Sequence, residues 1–82
     1  MISKIEASEN AKINLNRLME KRGLGVRELA RLSENTAMTI SRIKTVGKLP
    51  SVDCLLRLVQ ALEISIDDLF KKPRKSTNRK KL

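Results

Sequence analysis

The chain of 82 residues has no histidine, tryptophan or tyrosine, and one phenylalanine and one cysteine. A single cysteine cannot close a disulfide within the chain. Without histidine, a thiolate or imidazole metal cluster cannot be assembled. No metal and no cofactor is therefore expected, and a reduced, cytoplasmic setting fits the cysteine usage. The same absences remove most of the equipment of an enzyme: there is no imidazole base, no activated nucleophile and no glycine-rich loop to cradle a phosphate. Asp67 and Asp68 are neighbouring carboxylates, but they stand at a helix start, where capping accounts for them. No apolar run approaches the length of a membrane span. The opening residues, MISKIEASEN, lack the apolar core of a secretory signal. Function is thus expected on a surface.

Charge is present in excess and unevenly placed. The formal net charge is +9, from 18 basic and nine acidic residues. Residues 71–82 carry seven of the basic residues (Lys71, Lys72, Arg74, Lys75, Arg79, Lys80 and Lys81) and no acidic one, so residues 1–70 hold 11 basic against nine acidic. The basicity is mostly that of a tail. Such a tail is either a disordered solubilising end or an arm attracted to phosphates regardless of sequence. The neighbouring domain favours the arm.

Apolar residues recur at helical spacing, and alternation of the strand type never persists. The expectation is one small all-α domain of five helices, with no internal repeat. Residues 1–9 form an N-terminal segment of uncertain order, 10–72 the domain and 73–82 the disordered basic tail. Ser3 with Glu6 makes a capping box for the first helix, or Ser8 or Asn10 caps it instead. That helix runs to about Arg22, with Ala11, Leu15, Leu18 and Met19 on one face, and Gly23 stops it. Helix 2 covers about Val26 to Ser33, with Gly25 at its N-cap, Glu28 in its first turn, and Leu24 and Leu29 spaced as a hydrophobic staple. Helix 3 covers Thr36 to Lys44, with Ile40 and Ile43 inward and a loop, TVGKLP, after it. Ser51 caps helix 4, which buries Leu55, Leu58, Val59 and Leu62. Ser65 caps helix 5 and completes a capping box with Asp68, Ile64 and Leu69 form a second staple, and Leu69 and Phe70 close the core. Cys54, in the first turn of helix 4, has neither a second cysteine nor a histidine beside it and is expected to be structural.

The stretch LGVRELARLSENTAMTISRIK, Leu24 to Lys44, carries the functional signal. It reads as two short amphipathic helices joined by a tight polar turn. With Ile40 and Ile43 turned inward, helix 3 exposes Ala37, Met38, Ser41 and Arg42. The short side chains at its N-terminal end let the backbone approach a ligand closely. The Thr36 cap and the helix N-terminus offer N–H groups and partial positive charge to a phosphate. Arg42 suits a guanine edge or a phosphate, and Met38 a thymine methyl. Thr39 and Ser41 can donate to phosphate or base, Thr39 rather to phosphate. Each residue also has a plainer role. Thr36 caps whatever the function, Met38 can be an exposed apolar residue, Ser41 can be plain surface, and Arg42 can pair with Glu34 or Glu28.

From Asn14 to Phe70 the chain resembles the Cro/repressor-type helix-turn-helix family, also called the Xre family. NLNRLMEKRGL, RELARLS, T-x-x-TISRIK and LPSVDCLLRLVQALEISIDDLF follow in order at the family's spacing without a gap. The resemblance implies a five-helix, lambda-repressor-like DNA-binding domain whose third helix lies in the major groove, with Lys44 and Lys48 where the family's loop nears the DNA backbone. Five positions depart from the family pattern. Val26 replaces a glutamine that touches phosphate, an interaction that is then missing or supplied by Arg27. Glu34 stands where a left-handed glycine begins the turn, and Asn35 where a buried apolar residue follows. Asn tolerates the left-handed region, so the turn is open to rearrangement by one residue. Lys44 replaces a glutamate, and Glu63 a glycine.

The leading reading is a sequence-specific transcriptional regulator, a repressor, acting as a homodimer on double-stranded DNA in a bacterial or phage setting. Its DNA-binding residues are Arg27, Thr36, Ala37, Met38, Thr39, Ser41, Arg42, Lys44 and Lys48. The alternative is an antitoxin or protein-interaction adaptor with the same fold, with a toxin as one possible partner. A third reading is a non-specific nucleic-acid binder driven by the tail.

Overall fold

Helices shorter than about 12–15 residues are marginal alone in water, so their stability must come from packing. This constraint governs the protein, whose computed structural model describes residues 4–73. Among those residues there are five helices and no strand: α1 (Lys4–Arg22), α2 (Val26–Ser33), α3 (Ala37–Val46), α4 (Val52–Leu62) and α5 (Ile66–Phe70). Only α1, at 19 residues, exceeds that length. It packs against α3 and α5; α2 packs against α3 and α4, and α4 against α5.

The core is one cluster to which every helix contributes. Ala11, Leu15 and Met19 come from α1, Leu29 and Ala30 from α2, Ile40 and Ile43 from α3, and Leu69 from α5. Helix α4 supplies Leu55, Leu58, Val59 and Leu62. Burying one such Leu or Ile side chain is worth roughly 1.5–3 kcal/mol. Leu18 and Phe70, expected in the core, are half-buried and pack against its edge.

Three asparagines of α1 join the bundle by hydrogen bonds. Asn10 Nδ2 donates to the Phe70 carbonyl at 3.0 Å. Asn14 Nδ2 donates to the carbonyls of Leu69 at 2.7 Å and Lys71 at 2.9 Å, with Asp68 O at 3.5 Å. Both side chains are buried, at 7% and 8% exposure. They satisfy the last carbonyls of α5, which a helix cannot bond internally. Asn16 Nδ2 donates to Lys44 O at 3.0 Å, which fixes the C-terminal part of α3 to α1.

Four helices end on a left-handed residue: Gly23 after α1, Glu34 after α2, Gly47 after α3 and Glu63 after α4. After α2, Glu34 N–H donates to Arg31 O and Asn35 N–H to Ala30 O; after α4, Glu63 N–H donates to Gln60 O and Ile64 N–H to Val59 O. These paired bonds close the helices in the Schellman manner. Gly47 is needed for a second reason, because a Cβ there would sit 3.0 Å from the Ser8 carbonyl oxygen.

The structure corrects three expectations. Helix α1 already includes Lys4, the first described residue, so neither Ser8 nor Asn10 caps it and residues 4–9 are continuous with the helix; the expected cap Ser3 lies outside the described residues. The side chain of Asn10 is spent on α5. Helix α3 extends to Val46, taking in Thr45 and Val46 from the expected loop, because the left-handed stop is at Gly47. The turn after α2 keeps its register: Glu34, at φ 56°, takes the left-handed conformation, and Asn35 does not. The side chain of Asn35 instead donates to Ser33 Oγ at 3.1 Å and to Cys54 O at 3.3 Å, tying the turn to α4. The expected tail, apart from Pro73, lies outside the described residues.

The N-caps match expectation. Gly25 precedes α2 without a side-chain bond, and Thr36, Ser51 and Ser65 each accept from the N–H three residues on. At Ser65 the capping box is complete, with Ser65 N–H donating to Asp68 Oδ2 at 3.2 Å and Asp68 N–H to Ser65 Oγ at 3.0 Å. The backbone bond from Ser65, then its hydroxyl, and the nearby Lys71 hold the Asp68 carboxyl below its ordinary pKa of 3.8.

Glu34→Gly and Glu63→Gly should each raise stability by up to about 1 kcal/mol in urea unfolding, since a non-glycine left-handed residue costs about that much. Gly47→Ala should lower it by about 1–2 kcal/mol through strained φ and the contact with Ser8. Because its folded pKa is depressed, the Asp68 carboxylate contributes stability above the unfolded value and loses it as pH falls through the folded one. Asp68→Asn should therefore lower the Tm near neutral pH and leave it little changed in strong acid.

Candidate nucleic-acid interface

Helix α3 owes its orientation to a few contacts. Ile40 and Ile43 are fully buried, at 0% exposure, so the opposite side must face solvent. At about 100° per residue, Met38, Ser41, Arg42 and Thr45 cluster around the outward direction, with Ala37 at the edge. Ala37, Met38, Arg42 and Thr45 are exposed and Ser41 is half-buried. Met38 is 62% exposed, a large apolar side chain left in water on this face.

The N-terminal end of the helix is fixed locally. Thr36 Oγ1 accepts from Thr39 N–H at 3.1 Å, and the two hydroxyls are 2.9 Å apart. The Thr39 hydroxyl is thus engaged with the cap. The N–H groups of Ala37 and Met38 lie at the first two helical positions, where no intrahelical acceptor exists. The first turn holds no acidic side chain to occupy them.

The expected site residues, Lys44 apart, divide into three groups. Ala37, Met38, Ser41 and Arg42 come together on one face of α3. Thr36 and Thr39 are adjacent at its N-terminus. Arg27 in the first turn of α2 and Lys48 beyond the C-cap of α3 are exposed and separate from that face. Lys44 is half-buried on the flank toward α1, where its carbonyl accepts from Asn16. Two residues of the same surface are absent from the sequence-based set. Thr45 continues the α3 face by one turn, its hydroxyl donating to Ser41 O at 2.8 Å. Placing it in the loop hides it. Arg31 stands one turn after Arg27 on the exposed side of α2, and the i, i+4 spacing is the signal for it.

The ion pairs among the described residues include Lys12 with Glu9, Arg57 with Asp53 and Lys71 with Asp68. Arg42 pairs with neither Glu34 nor Glu28, and Arg27, Arg31, Lys44 and Lys48 make no ion pair with described residues. Five cations on and beside α2 and α3 thus have no ion-pair partner among the described residues, and neither do Glu28 and Glu34 of the same segment. Arg57, on α4, is held by Asp53 and reaches Asn35 Oδ1 and Cys54 Sγ, each at 3.5 Å. It buttresses the turn. Among the described residues no group of His, Cys, Asp and Glu side chains could hold a metal, and no helix is long and apolar enough to cross a membrane.

The bond from Asn16 predicts a coupling between α1 and the end of α3. Asn16→Ala should cost about 1 kcal/mol in urea unfolding. It should also speed hydrogen exchange of the Gly47 and Lys48 amides, which close α3, more than that of the α2 amides.

Comparison with known proteins identifies the family of the fold. Residues 14–73, from the Asn14 that grips α5 to the last described residue, match the family model of the Cro/C1-type HTH DNA-binding domain. No curated protein and no solved structure matched the chain. A family match over most of the chain, on a five-helix fold with α2 and α3 joined by a tight turn, identifies it: the protein belongs to the family of Cro/C1-type helix-turn-helix DNA-binding domains.

Proposed function

We propose that the protein is a sequence-specific transcriptional regulator, a repressor, that reads the major groove with α3 and binds as a homodimer to paired half-sites. The observation that carries this reading is the outward face of α3. Its inward isoleucines are fully buried, and Arg42 stands on the outer side without an ion pair to any described residue. A guanidinium left free in this way can make a bidentate contact to guanine O6 and N7. Met38 and Ala37 offer apolar contact, and Ser41 a hydroxyl. Arg27 and Arg31 on α2, with Lys44 and Lys48 around the end of α3, supply charge for phosphates, which set position without reading sequence. The free N–H groups behind the Thr36 cap suit a phosphate at the helix N-terminus, and the Thr39 hydroxyl, bonded to Thr36, supports that cap.

Selection of bound sites from a random duplex pool at near-physiological salt tests the proposal. Wild type should return an inverted repeat with half-sites about one helical turn apart. Arg42→Ala should blur one position per half-site and cost about 1–3 kcal/mol on the selected sequence. Lys48→Ala should weaken binding evenly across sequences and reduce the salt slope by about 1. Equal binding to unrelated duplexes by the folded protein would sink the proposal.

A further inference from the structure

We infer that the N-terminal half of α3 reads the C5-methyl group of a pyrimidine, so that binding depends on one thymine methyl in each half-site and accepts 5-methylcytosine in its place. The inference rests on the reading of α3 as the groove-facing helix, and it follows from what that helix can and cannot offer a base edge. Its sequence, AMTISRIKTV, contains no Asn, Gln, Asp or Glu. An adenine read through N6 and N7 calls for a side-chain amide, and a cytosine N4 donor for a carboxylate. Helix α3 has neither. The nearest amide, Asn35, is spent on Ser33 Oγ and Cys54 O. The Thr39 hydroxyl is held by Thr36, and the Thr45 hydroxyl donates to Ser41 O.

Three kinds of contact remain: Arg42 to guanine, the Ser41 hydroxyl, and the apolar pair Ala37 and Met38. Met38, at 62% exposure, is the large apolar side chain exposed in the first turns of α3, while Val46, at 70%, lies at its C-terminal end. It is unbranched and adaptable, and Ala37 beside it leaves room for close approach. On the major-groove edge of the bases the C5-methyl of thymine is the apolar group available to them. Cytosine methylated at C5 presents the same group at the same ring position. Methylation of a cytosine would then raise binding to a sequence that otherwise lacks the contact.

The test starts from the duplex selected by the wild-type protein. Each thymine is replaced in turn by uracil, which removes the methyl and keeps the polar edge. At one thymine per half-site, uracil should weaken wild-type binding about fourfold, the equivalent of burying one methyl-sized group. Met38→Ala, confirmed folded by circular dichroism, should bind the two duplexes equally, and Met38→Leu should keep most of the difference. With that pair changed to cytosine and guanine, 5-methylcytosine should bind about fourfold tighter than cytosine. Uracil tolerated at every thymine, or equal binding of cytosine and 5-methylcytosine, overturns the inference; if Arg42→Ala still blurs the motif, the reading of α3 survives that result. A pool with no motif overturns both.

Discussion

The side-chain amides of α1 fix where α5 and α3 sit in the bundle, which hydrophobic burial alone does not. Asparagine is a poor helix former, yet α1 carries Asn10, Asn14 and Asn16 in its interior. Each makes up for this by bonding a carbonyl on another helix or just past its end. Helix α5 has five residues and cannot sustain itself. With Asn10 and Asn14 on its terminal carbonyls, it is held where Leu69 closes the core. A neutral hydrogen bond contributes only about 0.5–1.5 kcal/mol net, but a buried, unpaired amide or carbonyl costs more than that. The bonds therefore select the position of α5 more than they add stability. Asn16 acts similarly on α3, fixing the angle at which the outward face is presented.

The local chemistry of the helix starts is legible in the sequence. Gly25, Thr36, Ser51 and Ser65 are N-caps in the structure as in the sequence reading, since a cap needs only its own residue and the next three. The core is legible for a similar reason, because helical spacing of Leu, Ile and Val defines an inward face without knowledge of the partner. The helix ends are less so. Thr45 and Val46 resemble loop because β-branched residues favour helix only weakly. In the fold, the stop is set by Gly47 against the backbone of Ser8, distant in sequence. The amides of Asn10 and Asn14 are opaque because their acceptors lie 60 and 55 residues away. The turn after α2 misleads in another way. Asn35 is the residue better suited to a left-handed backbone, but its side chain is committed to α4 and the strain falls on Glu34.

The candidate site shows the same division. Once Ile40 and Ile43 define the inside of α3, the outer positions of Ala37, Met38, Ser41 and Arg42 follow from geometry. Lys44 does not share that face, since it is displaced toward the flank where α1 packs. Spacing alone does not decide whether Arg42 is neutralised, because Glu28 and Glu34 lie close in the chain. In the fold neither forms an ion pair with it.

Rigidity connects the fold to recognition. A binding surface that must be ordered on contact loses affinity to that ordering, about 0.5–1.5 kcal/mol for each immobilised side chain and more for backbone. Helix α3, at 10 residues, would fray if left alone. It is instead held at three places: the Thr36 cap at its start, Ile40 and Ile43 in the core, and Asn16 with Gly47 at its end. The turn before it is tied to α4 through Asn35, with Arg57 alongside. The strained Glu34 is tolerated there because these ties leave the turn no easier path. The cost of ordering the backbone is thus met during folding, and the outer face presents the exposed side chains of Met38 and Arg42. Those two long side chains differ most in chemistry, so on the proposed reading of α3 discrimination would rest on an apolar contact and a guanidinium presented from a fixed backbone.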